Sequence, residues 1–600
     1  MKRIVYLLIG VVLLLSALVV SIPFLLSSDI VRAGLLSNLK ELTGRNVTFR
    51  GNPTISFQPF LGIEISELVV SGLPDANDQT PLLKVETVNA QLDILPALLG
   101  NVEITQYQLV RPELDLRIYQ HGKANWEFEK GSLREVFTPT GESDTNSGRT
   151  EKLGNFQIVD GQVHYENMID GTVQEFTDID GKFIWPDTSS DTDLALDLVW
   201  NGEAVSFQAS IDETAKLFAG SESQLSVELA SSPLNFSFEG TANQLSNFFV
   251  SGEITAQSPS LMRLSELTGI DLDGLSALGE WQASGSIEAT MDGIKLTQAT
   301  INVAGNEATG VLQLSKNELG QSRLDGTLAF DQINATSYLQ GWSAGTTTTD
   351  ANPDDGGLIL DLRISAKTVE TGPVTLEDVA ATINGDHHNW ILDIGESTAF
   401  GGQLIAKFGS RQEEEKQFKF LELRASDITL SEISNLVDER FIKVTGKTNI
   451  TASLKTDSFG KGLALSGLDG SVEAEIQSGQ IVGINLPKLL NSFNTTRREI
   501  TDQDATPFET FNMKLFLSNG TAALTRSVIN TNETSIQLIG DADLVRGGLA
   551  IRAQKITEEG LGPDRLFIGG TMANPLISLR EGPKPPVQQD QEETDNGISN

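Results

Sequence analysis

The chain has 600 residues, with 81 acidic and 43 basic side chains and a formal net charge of −38. Single cores stop growing near roughly 250–300 residues, so this length implies several domains or one extended body. The charge excludes nucleic acid as a partner, and the absence of cysteine leaves burial and strand pairing to hold an exported chain together.

The first predicted element is a membrane helix. Between Arg3 and Asp29 no side chain is charged, and the run from Ile4 to Leu26 is almost entirely apolar. A bilayer core about 30 Å thick needs roughly 20 such residues as a helix. Ile4, Leu7, Leu8, Val11, Leu14, Leu15, Leu18 and Phe24 form the apolar surface of this expected anchor. Lys2 and Arg3 precede it, so the positive-inside rule keeps the N-terminus cytoplasmic and places the chain beyond Asp29 across the membrane. A cleaved signal peptide has an apolar region of about 7–15 residues that ends in a small-x-small site. Here Ile22, Pro23, Phe24, Leu25 and Leu26 stand where small residues are needed, so a retained anchor is expected.

An amphipathic helix follows over 29–42, with Ile30, Val31, Leu35, Leu39 and Leu42 near helical spacing and Gly44 as terminator. Beyond Asn46 the period changes to two. Leu114, Leu116 and Ile118 alternate with polar residues, as do Val205, Phe207, Ala209 and Ile211. The same holds for Leu360, Leu362 and Ile364, for Ile450, Ala452 and Leu454, and for Val472, Ala474 and Ile476. Each run predicts a strand with one apolar and one polar face, which fits antiparallel sheet wetted on one side and excludes long buried parallel strands. At roughly 12–18 residues per strand and turn the chain holds on the order of 30–45 strands. At about 4.8 Å between neighbours, one continuous sheet would reach at most roughly 150–220 Å.

Asp160-Gly161, Asp180-Gly181, Asp325-Gly326 and Asp469-Gly470 predict hairpin turns, and single glycines at 252, 285, 446, 479, 520 and 540 are expected to open further strands. Helices are predicted over 260–267, 431–441 and 486–500, the last with Arg497 and Arg498 near its end. Polar stretches over 138–152 and 345–357 predict linkers, and 581–600 a disordered acidic tail. The expected organisation is an anchor (1–28), an N-terminal β module (29–137), a central β region (153–344) and a C-terminal β module (358–580).

Motifs for catalysis are weak. Gly341-Trp342-Ser343-Ala344-Gly345 matches a nucleophile elbow, with His387 and His388 downstream, but no helix pattern follows the serine. Gly446-Lys447-Thr448 lacks the first glycine of a phosphate loop, since Phe441 stands there, and it reads as a turn. His121, His164, His387 and His388 offer no helical pair, and adjacent strand residues point to opposite faces. Glu413–Glu415 reads as a solvated turn. No catalytic residue, metal ligand or cofactor is expected, and the chain is read as a non-enzyme.

What remains is a surface property. A long one-sided sheet must bury its apolar face by stacking, closing or curling. Periodicity alone favours a dry core. A curled sheet left open would instead carry an apolar channel, worth about 0.8 kcal/mol for each CH₂ removed from water.

Residues at both ends tilt this choice. Near the N-terminus stand Thr43-Gly44-Arg45, Gly51, Leu61-Gly62-Ile63-Glu64-Ile65, Leu98-Leu99-Gly100, Arg111-Pro112, Gly122 and Asn125-Trp126. Toward the C-terminus stand Gly446-Lys447, Gly470, the run from Gly479 to Leu486, Phe508, Asn519-Gly520 and the run from Gly540 to Leu544. In this order behind a membrane helix, they resemble the AsmA family of envelope proteins over about half of the chain. The resemblance implies an inner-membrane anchor with the bulk in the periplasm. It also implies kinship with bridge-like lipid-transfer proteins and movement of phospholipids between inner and outer membranes during outer-membrane biogenesis.

The fold expected is therefore mainly β, an elongated curled antiparallel sheet forming an apolar groove, with a few short helices. Leu114, Leu116, Ile118, Phe207, Leu360, Leu362, Ile364, Val472, Ala474 and Ile476 are the candidate lining. The expected partners are membrane phospholipids and the inner membrane, with outer-membrane contact as a possibility and no protein partner identified. The alternative is an envelope interaction protein that assists or regulates outer-membrane protein assembly without carrying lipid.

Overall fold

The structure is a computed structural model. It describes residues 28–579 except 57–61, 74–79, 93–103, 128–129, 132–151, 188–189, 219–220, 244–247, 270–278, 318–320, 337–357, 387–388, 414–415, 435–442, 457–464, 493–496, 500–503, 565 and 573. The expected anchor with Lys2 and Arg3, Ser343, His387, His388, nearly all of both linkers and the tail lie outside the described residues. Among the described residues no helix is long and apolar enough to cross a membrane.

The described chain is mainly β with a few short helices, and it forms two compact units, Met1–Gly326 and Thr327–Asn600. The division falls inside one strand, Ser322–Asn334, rather than at either expected linker.

In the first unit, helix α1 (Ser28–Thr43) ends at Gly44 as its spacing predicts, and Leu36 and Leu39 pack on the apolar side of β1 and its neighbours. The strands then run β1 (Val47–Ser56), β2 (Gly62–Val70), β3 (Leu83–Leu92), β4 (Ile104–Ile118), β5 (Lys152–Asn167), β6 (Thr172–Asp187), β7 (Thr192–Trp200) and β8 (Glu203–Ile211). After α2 (Thr214–Phe218) come β9 (Ser223–Ser231), β10 (Asn235–Asn243) and β11 (Phe249–Ser258). After α3 (Leu261–Thr268) come β12 (Trp281–Thr290), β13 (Gly293–Val303), β14 (Asn306–Lys316) and β15 (Ser322–Asn334). From β1 to β14 each strand pairs with the next, antiparallel except for one pair. β4 and β5 run parallel, with Gln106 opposite Asn155 and Ile118 opposite Asn167. The sheet is otherwise antiparallel, as expected, and this pair departs from the pattern. The connection from Tyr119 onward returns the chain to the same end of β4, which forces a parallel partner.

Two expected motifs meet beside this join. Arg45 is buried at 6 % exposure, and its guanidinium donates to the carbonyls of Asn125 (2.7 Å), Glu127 (2.9 Å) and Ser71 (3.2 Å). The Asn125 amide donates to the Asp115 carbonyl and accepts from the Arg117 amide. Gly44 is at φ 65°, and a Cβ there would lie 2.1 Å from the Lys130 carbonyl oxygen. Thus Gly44, Arg45 and Asn125 tie the segment after β4 to the start of β1.

In the second unit the strands are β16 (Ile359–Glu370), β17 (Thr375–Gly385), β18 (Trp390–Ala399), β19 (Gly402–Glu413) and β20 (Lys416–Thr429), followed by α4 (Leu430–Ser434). Then come β21 (Val444–Thr456), β22 (Leu468–Val482), α5 (Leu486–Leu490), β23 (Arg497–Glu499), β24 (Ala505–Ser518), β25 (Thr521–Asn530), β26 (Ser535–Asp543) and β27 (Leu549–Thr557). The short β28 (Gly560–Leu561), β29 (Leu566–Thr571) and β30 (Asn574–Leu579) complete it. The helix expected over 486–500 stops at Leu490, and Arg497 and Arg498 lie in a strand. β23 leaves the connection between β22 and β24 to pair with β30, the far end of the succession β22–β24–β25–β26–β27–β29–β30. The sheet thus folds back on itself around a dry core that includes Ile529 (0 % exposed), Ile536, Leu566 and Ile577. The run from Gly479 to Leu486 supplies its plug: Ile481, Ile484 and Leu486 are buried, and Asn485 caps α5 by accepting from the Lys488 amide.

The Asp-Gly dipeptides are not hairpin turns. Asp160-Gly161, Asp180-Gly181, Asp325-Gly326 and Asp469-Gly470 all lie inside strands, as do the single glycines 252, 285, 446, 479 and 540; only Gly520 of that set stands at a turn. Lys447 and Thr448 likewise belong to β21. Several acidic residues mark register shifts instead: Asp160, Asp178, Asp378 and Asp427 have φ of 55°, 49°, 51° and 58°. Aspartate tolerates this conformation better than most residues, and each bulge bends its strand and increases its twist. Glycine serves close approach. A Cβ on Gly181 would lie 2.2 Å from the Ala195 carbonyl oxygen. Gly181→Ala is expected to destabilise the first unit by about 1–3 kcal/mol, read as a fall in the urea midpoint at unchanged m-value.

Candidate functional site: a half-buried apolar face

Register places the apolar alternate residues of neighbouring strands directly side by side. In the first unit one row runs Leu109, Ile158, Gly181, Leu196, Phe207, Leu229, Phe236, Ala256, Ala283, Ile301, Ala308. The row beside it runs Tyr107, Phe156, Phe183, Leu194, Ala209, Val227, Phe238, Ile254. Tyr107 stacks on Phe156 at 4.8 Å between ring centres, and Phe183 follows at 5.8 Å. Burial pushes the Tyr107 hydroxyl above its usual range, as a low-polarity surround requires. The reverse face of the same strands carries Asp193, Asp197, Ser206, Gln208, Glu228, Glu239 and Glu253.

α3 leans over one rim of this face. Its last carbonyls accept from Gln174 and Asn201, and its Arg263 reaches Glu203 at 2.6 Å and Ser232 at 3.1 Å, while Leu261, Leu264 and Leu267 are buried. Ser260 caps its N-terminus and Gly269, at φ 72°, its C-terminus, which is why the predicted helix starts and stops where it does.

The second unit repeats the arrangement. One row runs Leu362, Ile383, Leu392, Phe408, Leu421, Leu454, and its neighbour runs Ile364, Ala381, Ile394, Ala406, Leu423, Ala452, Val472. In both units most of the large side chains are half-buried, and the alanines between them are mainly buried or half-buried. These residues touch their neighbours along the sheet but are not covered as the core around Ile529 is.

The structure places the sequence candidates as follows. Leu114, Leu116 and Ile118 are half-buried on β4; Leu114 faces Val163, and Leu116 faces Tyr165. Phe207 lies in the first row, and Leu362, Ile364 and Val472 lie in the second unit's rows. Leu360 is half-buried on β16 and pairs with Gly385. Ala474 is buried, and Ile476 belongs to the dry core with Ile529, so it does not share the half-covered face. Sequence reasoning missed Leu194, Leu196, Phe236, Phe408, Leu421 and Leu423, whose signal is the same alternation. It also missed α3. Among the described residues no group of three His, Asp or Glu is disposed to hold a metal ion.

The AsmA family model matches residues 1–179 and 327–526, more than half of the chain. No curated protein and no solved structure shows significant similarity to it.

Proposed function

The chain belongs to the AsmA family, and from that premise we propose that it is an inner-membrane-anchored periplasmic protein that handles phospholipid transfer between the inner and outer membranes. The apolar face acts as a groove for acyl chains, and the polar face meets water. The observation that supports this most is the contrast inside one chain. Where the protein makes a dry core, around Ile529 and Ile536, side chains are fully covered; along the apolar rows most of the large side chains, Phe238 apart, keep part of their surface exposed. A half-covered row gains about 0.8 kcal/mol for each methylene that a guest chain removes from water. The family is associated with outer-membrane biogenesis, which fits the same reading. Transfer is passive on this account, with direction set by partners or by a lipid gradient.

The test is position-specific photocrosslinking in cells. Benzoylphenylalanine at Leu196 or Leu421 is expected to capture phospholipid, whereas the adjacent outward positions Asp197 and Glu422 are not. Equal capture from both faces, or none from either, would overturn the groove and leave the interaction-protein alternative.

A further inference from the structure

We propose that Lys419, with Ser410 and Thr456, forms a binding site for the phosphate ester of a lipid headgroup at the rim of the second unit's apolar face.

The row Gly385, Trp390, Ser410, Lys419, Thr456 lies next to the row of Phe408, Leu421 and Leu454 and on the same face. Lys419 therefore brings an ammonium to the side of the sheet that is otherwise apolar. Directly opposed residues have Cβ atoms about 4.5–5.5 Å apart, so the Ser410 and Thr456 hydroxyls flank the base of its stem. Ser410 is 2 % exposed and its Oγ has no hydrogen-bond partner. An enclosed, unpaired hydroxyl costs free energy unless an acceptor arrives. A phosphate oxygen is such an acceptor, and Lys419 on its flexible four-carbon stem is the part that can move to admit it.

Charge nearby agrees. Arg411 and Lys455, from the strands on either side of β20, sit over the rings of Phe420 and Phe418 on the reverse face at this same rim. In a chain of net charge −38, this rim gathers cations. Burial also holds the Lys419 ammonium below the usual lysine range, and an anion beside it would act in the opposite direction by favouring the charged form. Acyl chains on Leu421 and Leu454 would leave the phosphate at this height, one row outward.

The site rests on the acyl-chain reading of the groove, and the test separates the two. Fluorescent phosphatidylglycerol and a diacylglycerol of the same chains are titrated into the full-length protein in nanodiscs. The proteins compared are wild type, Lys419→Met, Lys419→Arg and Ser410→Ala, each checked for an unchanged melting temperature. Lys419→Met is expected to weaken phosphatidylglycerol binding about tenfold and leave diacylglycerol unchanged, since a charged hydrogen bond is lost. Lys419→Arg should recover most of the difference. Equal loss for both lipids, or loss for neither, would overturn the site while leaving the groove standing. Failure of both lipids on wild type would overturn the groove and the site with it. Inorganic phosphate is the third arm. If it binds with the same Lys419 dependence while phosphatidylglycerol does not, the anion is free phosphate and the headgroup assignment falls.

Discussion

Ile529→Asp is expected to abolish folding of the second unit, whereas Leu421→Glu leaves it folded and empties it of lipid. Ile529 is fully enclosed among Ile536, Leu538, Ala553 and Leu566, all buried. A carboxylate there finds neither water nor a cation. The substitution costs more than about 4 kcal/mol, against a typical stability of about 5–15 kcal/mol for a whole domain. Leu421 is half-buried, so a glutamate there keeps its head in water and costs about 1 kcal/mol. It nevertheless sets a charge where an acyl chain would lie. Circular dichroism melts and limited proteolysis read the first effect, and co-purified phospholipid by native mass spectrometry reads the second. Equal unfolding by both substitutions would mean that the rows of β16–β21 are ordinary core, and the groove would be refuted.

Arg45→Ala is expected to destabilise the first unit by about 3 kcal/mol, because three carbonyls from two distant segments lose one shared donor. Arg45→Lys should recover little. A guanidinium fans several N–H groups in one plane, while an ammonium on a flexible stem cannot serve Ser71, Asn125 and Glu127 together. The loss is read as a lower urea midpoint and faster proteolysis. Retention of wild-type stability by Arg45→Ala would show that the connection after β4 is held by other contacts.

Much of the fold was legible because a sheet wetted on one side writes its own pattern. Val205, Phe207, Ala209 and Ile211 alternate with polar residues, and a one-residue slip would bury Ser206 and Gln208. Three features were not legible, each for a non-local reason. Nothing within β4 or β5 specifies a parallel pairing, since the route of the chain between them decides it. Asp160-Gly161 suits a hairpin and a bulge equally, because both use a residue at positive φ, and the flanking register makes the choice, while the other Asp-Gly pairs simply run on within their strands. β23 has three residues, and its partner β30 lies far along the chain.

The candidate site divides in the same way. Ile476 and Leu362 have the same alternation, yet closure of the sheet encloses Ile476 and leaves Leu362 half-covered. Burial depth follows from which strands meet last. Lys419 left a faint local trace: in Phe418-Lys419-Phe420-Leu421 the rings face outward, where Arg411 and Lys455 cover them, and the cation faces inward.

The return of β23 to β30 gives the second unit a blind end. A passenger drifting from β16 toward β22 would meet Ile476, Leu486 and Phe508 filling the lane, not an outlet. On the proposed groove, unloading there would be sideways, over the strand ends before β22, unless the short seam of Arg497–Glu499 against Leu576–Ser578 parts first.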